Sequence, residues 1–248
     1  MQKTTSFKTL ILVQARMTST RLPGKVLKEV LGKPLLSYLI ERLKCVGQAD
    51  ALVIATTINP LDEAIVHLCE KENVPYFRGS EEDVLSRYCE AAKLHKAGTV
   101  VRVTSDCPLI DPEVIDEVIM FYRKQSVDYA SNALTRTYPR GMDTEVFSFK
   151  ALEEAAEEAT LSSEREHVTP FIYQHPERFK LANLSYVTNQ SHHRWTVDTK
   201  EDFQLISKLL EALYPTHPHF TLKDLLELIK KHPEWSSINQ HTRKITGN

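Results

Sequence analysis

Residues 9–25 read TLILVQARMTSTRLPGK, and their order decides the fold. Thr9–Gln14 is an apolar run of strand length that gives way at once to a polar loop. The same unit recurs downstream. Pro34–Val46 reads as a helix, with Pro34 in its first turn and Leu35, Leu39 and Leu43 on one face. Strands over Ala51–Thr56, Pro75–Phe77 and Thr99–Thr104 then alternate with helices over Asp62–Glu72, Asp83–Lys96 and Pro112–Lys124. That alternation predicts an α/β fold built around a largely parallel sheet.

From Val127 the pattern loosens. Ala130–Gly141 is turn-rich, Asp143–Phe149 reads as a strand, and Ala151–Ala159 as a short acidic helix. Two further strand-like runs follow, Phe179–Val187 and Arg194–Val197, then helices over Lys200–Tyr214 and Thr221–Lys231. The polar tail after Pro233 is expected to be loosely attached. With no repeat or low-complexity linker, residues 1–248 are expected to form one domain with an irregular insertion at about 130–192.

Composition narrows the function classes. A chain of 248 residues with 42% hydrophobic and 26% charged side chains is an ordinary globular composition. A chain this long removes roughly 70–75% of its extended surface from water and needs no disulfide or structural metal. The 31 Lys plus Arg against 33 Asp plus Glu give a net charge of −2, which excludes a blanket nucleic-acid binder. Cys45, Cys69, Cys89 and Cys107 form no CxxC pair. No run approaches the roughly 18 apolar residues of a membrane span, so a cytoplasmic protein is expected. With 7 glycines and neither GxGxxG nor GxxxxGK[ST], a nucleotide cradle built from backbone is excluded.

The loop after the first strand supplies side chains instead. From Met1 to Lys28 there are six Lys or Arg and no carboxylate. Arg16, Arg21 and Lys25, with the hydroxyls of Thr18, Ser19 and Thr20, make a polyanion-binding set at a strand's carboxyl end. A solvated basic loop is the alternative, and the position together with Pro23-Gly24-Lys25 favours binding.

The stretch ARMTSTRLPGKVLKEVLGKPLL resembles the N-terminal signature of CTP-dependent sugar cytidylyltransferases, such as the CMP-KDO synthetases. The chain as a whole resembles the SpsF-like branch, the spore-coat polysaccharide biosynthesis proteins grouped with them. The resemblance implies a single-domain, nucleotide-diphospho-sugar transferase-like fold, Rossmann-like and of GT-A type, with a mixed sheet and helices on both faces. It assigns Ala15, Arg16, Ser19, Arg21 and Lys25 to the nucleotide and its phosphates. Thr18 departs from the glycine of the KDO enzymes, and Gly32-Lys33-Pro34 is expected to turn the chain into the first helix.

Asp106 and Asp198 fall on the family's magnesium-ligand positions, in SDCP and VDTKED. Each also has a plainer reading, as a turn or helix-capping aspartate. Near Lys200, either Asp198 or Thr199 caps, with Glu201 in the pattern. Asp198 is a metal ligand, a base, or both. With CTP and magnesium, Arg16, Arg21, Lys25, Asp106 and Asp198 are the expected catalytic set.

RGSEEDVLSRY resembles the SpsF-like branch and points to Arg78 and Ser80 beside the base. Asp83 and Arg87 have the alternative of a helix-start carboxylate and its i,i+4 partner. Arg140, Gly141, Asp143, Glu145 and His167 are the acceptor-side candidates, with Gly141 allowing close approach. His192-His193 and His217-Pro-His219 read as surface residues.

The expected activity is therefore transfer of CMP to a sugar, an acidic one, by a homodimer pairing through the insertion. No nucleic-acid or membrane partner is expected. The alternatives are a metal-dependent GT-A glycosyltransferase, against which the absence of a DxD pair at Asp106 counts, and a non-catalytic nucleotide-binding coat-assembly protein.

Overall fold

The computed structural model describes residues 8–240. Side-chain alternation in β1 (Lys8–Gln14) sets the two faces of the central sheet. Ile11 and Val13 enter one apolar cluster, and Leu10 and Leu12 enter the other. After the cationic loop, β2 (Glu29–Val30) and β3 (Lys33–Pro34) form a two-residue hairpin. Leu31 and Gly32 both have positive φ in its turn, 51° and 70°, as a type I′ turn requires. This hairpin is how Gly32-Lys33-Pro34 delivers the chain into α1 (Leu35–Leu43).

The parallel half continues with β4 (Ala51–Thr57), α2 (Glu63–Lys71), β5 (Tyr76–Gly79), α3 (Val84–Leu94) and β6 (Ala97–Thr104). Next comes α4 (Pro112–Gln125), with Pro112 in its first turn and Asp111 capping the Glu113 amide at 3.0 Å. The remaining elements are β7 (Tyr129–Ser131), β8 (Glu145–Ser148), α5 (Phe149–Glu158), α6 (Ser162–His167), α7 (Pro170–Tyr173) and β9 (Leu181–Asn183). Last are α8 (Lys200–Leu213) and α9 (Leu222–Lys231).

Seven strands join one sheet in the order β5-β4-β1-β6-β8-β7-β9. β5, β4, β1 and β6 are mutually parallel, and β8 reverses direction against β6 and β7. The sheet is therefore mixed, with helices on both faces. α1, α4, α8 and α9 cover one face through residues such as Leu39, Ile115, Ile206 and Leu225. α3, α5 and α7 cover the other through Leu85, Leu152 and Phe171.

The region 130–192 supplies β8, β9 and most of β7 to the sheet. Several expectations are corrected. Of Phe179–Val187 only Leu181–Asn183 pairs, and Arg194–Val197 makes a single bridge to Arg140 instead of a strand. Its apolar residues are buried because the segment packs under the chain at Gly141, not because they alternate in a ladder. Of the tail beyond Pro233, residues 234–240 are docked and the rest lies outside the described residues: Trp235 packs against the core, and Asn239 is buried, its Nδ2 donating to the Arg194 carbonyl at 3.0 Å and to Asp202 at 2.8 Å. His193 is buried and stacked on Trp195 at 5.1 Å between centroids, so it is not a surface residue.

Gly141 has φ +104°, and a Cβ there would lie 2.5 Å from the Trp195 carbonyl oxygen. The close approach that its glycine allows is to the chain itself, not to a ligand. Positive φ and overpacking against backbone together predict that Gly141→Ala loses about 2–4 kcal/mol. Urea unfolding checks this, and an unchanged midpoint contradicts the packing described.

Candidate active site

The carboxyl ends of β1 and β6 and the N-terminal ends of α3 and α8 enclose a cleft of about 330 Å³. The loop after β1 forms one wall because its backbone is anchored at both ends. The Gly24 amide donates to Met17 O at 2.9 Å, and the Met17 amide donates to buried Asp62 at 2.7 Å. Thr18 does not enter the cleft; its hydroxyl donates to Glu81, which also accepts from Asn59 at 2.8 Å. Ala15, Arg16, Ser19, Arg21 and Lys25 all line the cleft.

Asp106 and Asp198, 92 positions apart, also line it. A backbone bond from the Val197 amide to Asp106 O, 2.8 Å, holds their two loops together. Lys25 Nζ stands between the carboxylates, 2.8 Å from Asp198 Oδ1 and 3.4 Å from Asp106 Oδ2. Arg21 approaches Asp198 Oδ1 at 3.0 Å and Arg194 approaches its Oδ2 at 2.7 Å. The capping alternatives are resolved: Thr199 caps α8 reciprocally with Asp202, not Glu201, and Asp198 is left to the cleft.

Burial works against the charge on Lys25, yet Asp106 and Asp198 outweigh it and raise the lysine's pKa. Burial likewise opposes the Asp198 carboxylate, but Lys25, Arg21 and Arg194 together lower its pKa. Asp198 is therefore a carboxylate held ionised and a poor proton acceptor.

Among the described residues no three side chains of metal-ligating type converge. Two hard carboxylates suit magnesium, which takes one or two protein carboxylates and fills its shell with phosphate oxygens and water. The donor set fits that ion when a phosphate is present.

Two cations that sequence reading left out of the site also line the cleft, Arg87 and Arg102. Arg87 is 1% exposed, donates to the Ser80 carbonyl, and has no hydrogen-bond partner at Nε. Its partner is not Asp83, four residues back; Asp83 caps α3 through the Ser86 amide and takes a bidentate contact from Arg165. Burial lowers the Arg87 pKa, and neighbouring Arg16 acts the same way, so the pair favours an anion. Arg102 is held by Glu145 and by Gln14 Oε1 at 3.1 Å. The available signal was an arginine inside the apolar run VVRVT, since a buried cation requires a partner.

Arg78 does not line the cleft. Its guanidinium bonds Thr57 O, Asn59 O and Glu63, so a base-donor role is corrected to that of a loop brace. Ser80 lies in an adjoining open groove with Asn59 and Glu81, connected to the cleft through Arg16.

A second chamber of about 500 Å³ adjoins the first and shares Arg102, Thr104 and His167 with it. Asp143, Glu145 and His167 line it, whereas Arg140 and Gly141 do not. Asp143 is paired with Arg136, and Glu145 accepts from Arg102, Tyr129 and Thr169, the last two at 2.6 Å. Both carboxylates are thus framework groups more than free acceptor ligands. His167 ends α6 on a γ-turn: Val168 has φ 73° and ψ −54°, and the Thr169 amide donates to His167 O at 2.9 Å. A β-branched residue there stores strain of about 1–3 kcal/mol.

The chain matches the family model described as cytidylyltransferase over residues 10–241. It is 33% identical over 232 residues to the spore coat polysaccharide biosynthesis protein SpsF of Bacillus subtilis, covering 91% of this chain and 95% of that one. A solved cytidylyltransferase from Leptospira borgpetersenii superposes with a TM-score of 0.88 at 35% identity, over 92% of this chain and 96% of that one. A CMP-2-keto-3-deoxy-manno-octonic acid synthetase solved with CTP superposes with a TM-score of 0.64 at 16% identity, over 83% and 99%, a likeness of fold.

Because the folded-state pKa of Asp198 lies below its ordinary value of 3.8, its stabilisation is complete above that pH and is lost as the pH falls toward the folded value. Asp198→Asn lacks this contribution. In urea unfolding between pH 5 and pH 2 (about the range spanned by a shifted carboxylate), the stability gap between wild type and variant should narrow. A gap independent of pH contradicts the ion cluster.

Proposed function

The chain belongs to the cytidylyltransferase family, and from that premise we propose that it transfers CMP from CTP to a sugar hydroxyl, with magnesium, releasing pyrophosphate. One observation carries the reading: Lys25 bridges Asp106 and Asp198 on the wall of a cleft that Arg16, Arg21, Arg87 and Arg102 also line. A triphosphate brings the negative charge that this excess of cations lacks.

In the reaction the sugar oxygen forms a bond to the α-phosphorus of CTP, and the bond from that phosphorus to the pyrophosphate oxygen breaks. Arg16, Ser19, Arg21 and Lys25 grip phosphate oxygens and balance the charge that accumulates on the leaving pyrophosphate. Arg87, which lines the same cleft, adds a further positive charge. Asp106 and Asp198 are the residues that would hold magnesium, which would supply further charge neutralisation at the phosphates. Asp198, engaged by Lys25, Arg21 and Arg194, is assigned to the metal and not to the proton.

The second chamber takes the sugar. An acceptor carboxylate there has to compete with Asp143 for Arg136, so the expected acidic acceptor is tested beside neutral ones. Cytoplasmic location, a homodimer and a place in surface or spore-coat polysaccharide synthesis complete the reading. The place in polysaccharide synthesis is supported by the SpsF relative. Among the described residues no helix is long and apolar enough to cross a membrane.

The test is pyrophosphate release from CTP and magnesium with 3-deoxy-manno-octulosonate, N-acetylneuraminate, glucuronate or glucose. Release is expected with at least one of them. Lys25→Met is expected to lower it about 10²–10³-fold, and Asp106→Asn to lower it as well. Release that needs no acceptor, or that both variants sustain, overturns the proposal. Consumption of a nucleotide-sugar donor with CTP intact favours the glycosyltransferase instead.

A further inference from the structure

We propose that His167 is the general base that takes the proton from the acceptor hydroxyl. The inference rests on the cytidylyltransfer reading. It starts from position: among the described residues only Arg102, Thr104 and His167 line both the phosphate cleft and the adjoining chamber, and the attacking oxygen must cross that boundary.

The other two boundary groups are engaged. Arg102 is held by Glu145 and Gln14, and the Thr104 hydroxyl donates to Asp106 at 2.5 Å. The His167 ring has no hydrogen bond or ion pair among the described residues. The carboxylates nearby are committed elsewhere: Asp198 to three cations, Asp143 to Arg136, and Glu145 to Arg102, Tyr129 and Thr169. Glu166 lines only the phosphate cleft. Imidazole is also the side chain that most often serves as a general base.

The fold presents this residue deliberately. α6 has six residues and is largely exposed, yet Arg165 fastens it to Asp83 and to the carbonyls of Ala156, 2.7 Å, and Ala159, 3.3 Å. On its other side the γ-turn buries Val168 completely and carries Thr169 down to Glu145, leaving His167 at the boundary. Backbone strain of this kind clusters at functional sites.

Its electrostatic surroundings come from every neighbouring element. Arg165 and Glu166 share α6, Asp83 and Arg87 belong to α3, and Tyr173 to α7. The cleft wall adds Arg16, Arg21, Lys25, Asp106 and Asp198. Across the second chamber stand Arg102, Glu145, Tyr129, Arg136 and Asp143. In the step itself the acceptor oxygen bonds to the α-phosphorus, its proton passes to the imidazole, and pyrophosphate departs with the electron pair of the broken P–O bond.

The experiment compares wild type with His167→Gln, which keeps a hydrogen-bonding group but accepts no proton. With whichever sugar of the panel supports turnover, kcat should fall about 10²–10³-fold, the lower part of the range for general bases. The KM for CTP should stay within about twofold, a shift under one kcal/mol. The acidic limb of the kcat/KM profile should disappear, while the thermal midpoint is unchanged. A variant that keeps that limb, or whose loss is confined to the KM for CTP, overturns the assignment and makes His167 a phosphate contact or a bystander. A wild type that releases no pyrophosphate with any sugar overturns the proposed function, and this inference with it.

Discussion

The ammonium group of Lys25 between Asp106 and Asp198 is the interaction on which the site depends. It joins the loop after β1 to segments 81 and 173 residues away, and so brings the first strand's loop, the end of β6 and the entry to α8 to one place. Lys25 and Asp198 side chains are each 14% exposed, and Asp106 is 20% exposed. At that depth the attraction is weakly screened, but desolvation opposes it, so the cluster is better understood as a device of position than of net stability. Lys25, Arg21 and Arg194 face Asp106, Asp198 and buried Asp202, so three cations balance three carboxylates before Arg16 and Arg87 are counted. The cluster is thus internally paired and still receptive to an anion.

The sheet divides the labour. Its parallel half ends in the loops that build the cationic cleft, as expected where helices begin beyond parallel strands. The antiparallel strands β8 and β7 bring Glu145 and Tyr129 to the second chamber. β6 belongs to both halves, pairing parallel with β1 and antiparallel with β8. Arg102 and Thr104 on that strand are for this reason the groups shared by the two spaces.

Much of this was legible in residues. The aliphatic run of β1 and the spacing of Leu35, Leu39 and Leu43 carry the parallel half, and the acid-free stretch to Lys28 marks the cationic loop that lines the cleft. What escaped had a physical cause in each case. Tyr129–Ser131 is three residues long, too short to display alternation, and it precedes a turn-rich segment. Arg194–Val197 has strand-like residues but is buried by packing against Gly141, which no local period encodes. Arg87 resembles a surface helix partner of Asp83 until the fold sets Arg165 on that carboxylate. Arg78 has the right type of side chain near the site, but its carbonyl partners come from the loop after β4 and draw it away.

Calorimetric titration of CTP into the wild-type protein, with magnesium and with EDTA in its place, tests the central claim most directly. If Asp106 and Asp198 hold magnesium beside the bound phosphates, the ion adds an attraction for CTP that the paired cations Lys25, Arg21 and Arg194 do not supply. The account predicts affinity at least about tenfold higher with magnesium, a difference of about 1.4 kcal/mol. Equal affinity under both conditions would contradict it.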